Sequence, residues 1–250
     1  MSILLMSNIL GVLIFNINYE PKIREMDLKF KRWKMHNLSL KGKATIIKTF
    51  GISKLLYLAS VLPLPPEYII SRINQLIYAF IWNNKSNKIK GNIMINTFEH
   101  GGLNISHFST FCKALKVSWV KRYTDEKIKV SQWTQLINHR LKSIGGQFAF
   151  RCRMHVNEIK NLKIKSKFWR DVLVCWCEYV YTEEINIDNI GKQILWLNSN
   201  IKVGNKILYF DECITNRLWT LDQLFMSVCI YTYVYVCVGI HACIYIILRL

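Results

Sequence analysis

SLKGKATIIKTFGISKLLYLASVLPLPP, residues 39–66, decides how this chain folds. Ser39 is a good helix N-cap, because its hydroxyl can accept from an otherwise unpaired backbone N–H. The residues after it predict a helix over 40–61, with Ile46, Ile47, Phe50, Leu55, Leu58 and Val61 facing inward. Gly51 sits inside it at some loss of helix propensity. Pro63, Pro65 and Pro66 then stop it, since proline lacks the N–H and restricts the residue before it. Working outward, residues 67–82 predict a second strong helix, with Ile69, Ile70, Ile73, Leu76, Ile77, Phe80 and Ile81 apolar. On the other side, residues 22–36 predict a basic amphipathic helix that opens after Pro21. Its apolar positions are Ile23, Met26, Phe30 and Trp33.

The rest of the chain is read the same way. Residues 9–15, Ile-Leu-Gly-Val-Leu-Ile-Phe, suit a buried β-strand. The apolar stretch Met1–Phe15 could pass for a signal peptide, but it lacks a basic leader, since the first lysine is Lys22. It reads instead as the strand of a domain whose earlier part is missing. After a basic polar loop at 83–92, Gly101-Gly102 marks a turn with positive φ. Further helices are expected at 107–123, 131–142 and 166–180. Residues 194–210 alternate and predict a small hairpin around Gly204-Asn205. The expected fold is mainly α, a helical bundle with a short N-terminal strand and a small C-terminal β-hairpin.

The formal net charge is +18 over 250 residues. It is regional: residues 19–170 hold 29 Lys/Arg against 8 Asp/Glu, a net of +21, and the remainder is slightly acidic. A folded region this basic repels itself unless a polyanion neutralises it, and nucleic acid is the commonest such partner. An ordinary solvated surface and an anionic membrane are the other readings. Cys112, Cys152, Cys175, Cys177 and Cys213 have no framework-like spacing, which points to free thiols in a reducing compartment.

Several segments, in order, carry a family likeness. They are Ile9-Leu10-Gly11-Val12, Trp33, Leu38-Ser39-Leu40-Lys41-Gly42-Lys43, Ile46-Ile47-Lys48, Lys54-Leu55-Leu56-Tyr57 and Pro63-Leu64-Pro65. Ile73-Asn74, Phe80-Ile81-Trp82, Gly101-Gly102-Leu103-Asn104-Ile105, Leu195-Trp196-Leu197-Asn198 and Asn200-Ile201 to Gly204-Asn205 come after them. The series resembles the region downstream of the palm in LINE-type (non-LTR) retrotransposon reverse transcriptases, over about residues 9–225. The resemblance implies a residual palm-end strand at 1–18, a basic thumb-like helical region at 19–125, and a C-terminal helical region with a hairpin at 126–225. It also implies a grip on a template–primer duplex, RNA or DNA, through the phosphate backbone. Lys41, Lys43, Lys48 and Lys54 become candidate phosphate contacts, joined by Lys88 and Lys90 in the basic loop. Their spacing alone also suits a solvated helix face. Trp33 and Trp82 could stack on bases, although tryptophans at helical spacing beside Ile and Phe are more often core.

The same resemblance marks what this chain lacks. Two-metal polymerisation needs clustered carboxylates. The family carries an adjacent aspartate pair before the segment that matches Ile9, and no Asp-Asp pair occurs here. Asp125-Glu126, Glu183-Glu184 and Asp211-Glu212 stand in other contexts. The chain is therefore expected to be a non-catalytic fragment with no endonuclease. No other chemistry replaces it. Gly42-Lys43 is followed by Ala44 and is not a P-loop. No Gly-x-Ser-x-Gly elbow is present. Cys152-x-x-His155 with Cys175-x-Cys177 is a poor zinc set, since the second gap is too tight. No metal and no cofactor are expected.

Residues 226–248 contain no Asp, Glu, Lys or Arg and are long enough to span a bilayer as a helix. From Val228 to Ile246, Val, Ile, Thr or Ala alternate with Cys, Tyr or His, broken only at Gly239. Codons of alternating purine and pyrimidine encode that pattern, so the tail reads as a translated TG/TA-type repeat. Two further readings stand beside nucleic-acid binding. One is a basic protein anchored to a membrane through 226–248; the other is a non-functional product of a decayed element. The resemblance implies a nuclear or cytoplasmic setting, and tail insertion would imply a membrane.

Overall fold

Ser39 caps its helix as the sequence requires: its hydroxyl accepts from the Gly42 N–H at 3.1 Å. In the computed structural model the helical path then runs without interruption from Leu40 to Val61, but in four pieces. These are α2 (Leu40–Ile46), a π turn (Ile47–Gly51), a 3-10 turn (Ile52–Leu55) and α3 (Leu56–Val61). The structure describes residues 3–86, 89–105, 107–125, 131–162, 164–181, 192–204 and 206–224. The apolar tail lies outside them.

The π turn changes which side chains face inward. Ala44 and Ile46 are buried before it, Ile47 and Gly51 at its two ends, and Ile52, Leu55 and Ala59 after it. Phe50 and Val61, expected inside, are each 39% exposed. A π turn adds one residue to the ring closed by each hydrogen bond, so the helical phase slips and Gly51 takes the inward place. The reason is the neighbouring helix: a Cβ on Gly51 would lie 2.7 Å from Phe30 Cζ. The same stretch is long and apolar enough to cross a membrane by length and composition, yet its apolar stripe is the one packed in this core.

The N-terminus also differs from the expected strand. Residues 9–15 are not a strand; they belong to α1 (Ile3–Trp33). A seven-residue apolar run has no period of its own, so the residues beyond it decide its state. Phe15, Tyr19, Ile23, Met26 and Phe30 are all buried, stepping by four, four, three and four, which is a single helical stripe. Pro21, expected to open a helix, lies inside α1. Proline removes the bond to the carbonyl four residues back, that of Ile17. Both residues are on the exposed side, where water can take the freed carbonyl.

The chain divides into two compact units, residues 1–116 and 117–250. In the first, α1, the 40–61 helical path and α4 (Glu67–Ile81) share one core, in which Phe30 stacks on Phe80 at 4.5 Å. Trp82 is buried there, as its neighbours suggested. Beyond it come α5 (Gly91–Ile95) and the Gly101-Gly102 turn. Gly101 has φ +72°, and a Cβ on Gly102 would collide with the Asn96 carbonyl. α6 (Phe108–Thr124) carries Lys116, fully buried, whose ammonium donates to the carbonyls of Ala59 (2.6 Å) and Ser60 (3.2 Å). It thereby satisfies acceptors at the end of α3 that have no intrahelical donor.

The second unit is built from the end of α6, α7 (Gln132–Leu141), α8 (Val156–Ile159), α9 (Lys167–Tyr181) and α10 (Asp211–Thr215). Its core is aromatic: Trp119 meets Phe168 and Trp169 edge-on, and Tyr123 meets Phe150. The small sheet pairs β1 (Lys202–Val203) with β2 (Lys206–Ile207), antiparallel, across the turn expected at Gly204. The Leu195-Trp196-Leu197-Asn198 segment is a structural clasp. Leu195 N–H donates to Trp219 O at 2.9 Å, Trp196 Nε1 donates to Leu218 O at 2.5 Å, and buried Asn198 donates to Ile194 O at 2.7 Å. The molecule is thus mainly α-helical, with one small two-stranded sheet among the described residues.

Candidate nucleic-acid interface

The six lysines singled out from the sequence do not share one fate. Lys43 is only 7% exposed. Its ammonium donates to Ile81 O and to Asn83 Oδ1, both at 2.8 Å. It closes the C-terminal end of α4, where unpaired carbonyls favour a cation. Burial, and after it the nearby charge of Lys34, holds its pKa below the usual lysine range. Lys34 donates to the adjacent Asn84 Oδ1 at 2.8 Å. Two lysines therefore fix Asn83 and Asn84, both in the left-handed region.

Lys41 is exposed and lies over the Phe98 ring at 5.1 Å. Lys48 is exposed and pairs with no described residue. Positions 41, 45 and 48 fall on one helical face. Along that face Thr45 donates to Lys41 O (3.1 Å), Thr49 to Thr45 O (2.9 Å) and Ser53 to Thr49 O (2.5 Å). Such back-bonding bends helices, and the π turn lies in this stretch. Lys90 is exposed just before α5. Lys88 lies outside the described residues.

Lys54 belongs to a cluster that the sequence did not announce. Glu25 on α1 pairs with Lys54 at 3.0 Å, Lys22 at 3.4 Å and Lys29 at 3.8 Å. The hydrogen bond from Lys54 is the main reason the Glu25 carboxyl is held below its usual pKa. Solvent screens half-exposed pairs of this kind, so they add little to stability. Their more important effect is to gather three ammonium groups around one carboxylate. The Lys29 ammonium also lies over the Phe50 ring at 5.6 Å, and Trp33 stacks beside Phe50 at 5.9 Å. The π turn that turned Phe50 outward thus placed an aromatic ring among the lysines. The first unit as a whole carries 16 Lys/Arg against 5 Asp/Glu.

In the second unit, Lys142, Arg151 and Arg217 line an open cleft of about 420 Å3. They are far apart in sequence, so no motif could have found them. The cysteines offer no metal centre: among the described residues no three His, Cys, Asp or Glu side chains come together. His155 instead caps α8, accepting from the Asn157 N–H. Cys152 and Cys177 are buried free thiols. Burial pushes Cys177 up to about 12 and Cys152 well above the usual thiol value, so neither supplies a thiolate near neutral pH.

No family model matches the chain, and no solved structure matches it.

Proposed function

We propose that this chain binds nucleic acid through the phosphate backbone and carries no polymerase chemistry of its own. The observation that carries the reading is the basic surface of the first unit. Lys22, Lys29 and Lys54 gather on Glu25, while Lys48, Lys41 and Lys90 are exposed with no carboxylate partner among the described residues. Lysine ammonium groups act as point charges toward phosphate and read no base. A duplex of RNA or DNA held this way is bound without strong sequence preference. The likeness to the post-palm region of LINE-type reverse transcriptases supports the reading. So does the sequence, which has no adjacent aspartate pair to hold two metals.

Fluorescence anisotropy of the full chain with a labelled RNA–DNA duplex tests the proposal. Binding through several phosphates falls steeply as salt rises from about 50 to about 200 mM. Affinity that is flat over that range would remove the proposal. Equal affinity for two duplexes of unrelated sequence is the second expected result.

A further inference from the structure

We propose that the cleft of the second unit is a nucleotide subsite, in which Lys142 and Arg217 hold a phosphate and the stacked pair Arg151–Trp219 carries the base. The inference does not rest on the lysines of the first unit. The cleft encloses about 420 Å3, and its lining includes Lys142, Phe148, Arg151, Asp211, Arg217 and Trp219. Three cations therefore face one carboxylate, and the Tyr209 hydroxyl already donates to Asp211 at 3.2 Å. A second open cleft of about 670 Å3 shares Lys142 and Asp211 and adds Arg140 and Lys165. None of these five cations makes an ion pair with a described residue. A concavity lined mostly by one sign of charge concentrates the opposite ion.

Arg217 supplies the second argument. It sits at φ +60°, just past Asn216, the C-cap of α10. Leu218 N–H donates to Cys213 O at 2.9 Å and Arg217 N–H to Ile214 O at 3.2 Å. That pair of bonds is the Schellman ending of a helix, whose left-handed position is normally glycine. An arginine there strains the backbone, and strained residues of this kind gather at functional sites. Here the side chain lines the cleft.

Arg151 and Trp219 form the base platform. The Arg151 guanidinium lies 4.8 Å over the Trp219 ring. Trp219 is itself fixed: its Nε1 donates to Ile214 O at 3.0 Å and its ring rests against Phe148 at 5.4 Å. A guanidinium lying over an indole offers a surface on which an unpaired base stacks. Phosphate chemistry beside a stacking plane describes a nucleotide rather than a bare anion. The nucleotide can be free or can be an unpaired residue of a nucleic-acid strand.

Isothermal titration of the full chain with adenosine 5′-monophosphate, inorganic phosphate and a single-stranded oligoadenylate tests this. The monophosphate is expected to bind on the order of tenfold more tightly than phosphate, the gain from one base stack. Arg217→Gly should weaken monophosphate binding by on the order of tenfold, the loss of one charged phosphate contact, without lowering the unfolding midpoint. Met35→Ala, on the exposed surface of the first unit, should leave it unchanged. Oligoadenylate binding that Arg217→Gly weakens assigns the site to a strand, and oligoadenylate binding that Arg217→Gly leaves intact while monophosphate binding falls assigns it to a free nucleotide. Equal binding of monophosphate and phosphate, or full binding by Arg217→Gly, would overturn the proposal.

Discussion

The Lys43 ammonium lies 2.8 Å from the carbonyl oxygen of Ile81, at the end of α4. By sequence Lys43 belongs with Lys41 and Lys48 as a phosphate contact; by position it serves the fold. Lys43→Met should destabilise the protein by about 1–3 kcal/mol in urea unfolding, because it leaves a buried acceptor without its donor. The salt dependence of nucleic-acid binding should keep its slope. A variant as stable as the parent but with a shallower slope would return Lys43 to the interface.

Gly51 faces Phe30 across the first core. The Phe30 ring cannot swing away easily, since Phe80 stacks on it at 4.5 Å. Gly51→Ala should therefore destabilise by about 1–3 kcal/mol, the usual range for overpacking. A raised urea midpoint would mean that helix propensity outweighs the close approach.

Arg217 occupies a glycine position. Arg217→Gly should raise the stability of the second unit by about 1 kcal/mol, the order of the left-handed penalty for an L-residue. A lowered midpoint in urea would show that the arginine side chain supports folding.

Glu158 couples α8 to the sheet. Burial pushes its carboxyl up, but hydrogen bonds from Lys202 and Ser199 outweigh that and hold it below the usual range. A depressed carboxyl contributes stability above its unfolded value, near about 4.3, that is lost as pH falls through the lower folded value. Glu158→Gln should be less stable than the parent at neutral pH. The gap between the two should close in acid, and a gap that is constant from neutral pH into acid would rule this linkage out.

Much of this fold is written locally. The Ser39 cap, the proline stop at 63–66, the period of 67–81 and the turn at Gly204 each depend on neighbours a few residues away, and each forms where the sequence places it. Features that could not be read depend on distant partners. The helical state of 9–15 comes from a stripe that continues to Phe30. The outward turn of Phe50 comes from the close approach of α1 to Gly51. Of the candidate lysines, the sequence supplies positions and charge but not where each ammonium ends. Lys43 turns back onto Ile81, and Lys54 reaches Glu25 on another helix. The second-unit cleft draws on Lys142, Arg151, Arg217 and Trp219, which only the folded chain brings together.

The most direct test is the salt slope of duplex binding in a Lys41→Ala/Lys48→Ala/Lys54→Ala variant, measured beside the parent. Each phosphate contact removed should lower the magnitude of the slope by about 1. The account predicts a shallower slope by about 2 to 3 at unchanged stability, with affinity reduced alike for unrelated sequences. An unchanged slope and affinity would contradict it, and would leave these lysines as a solvated helix face.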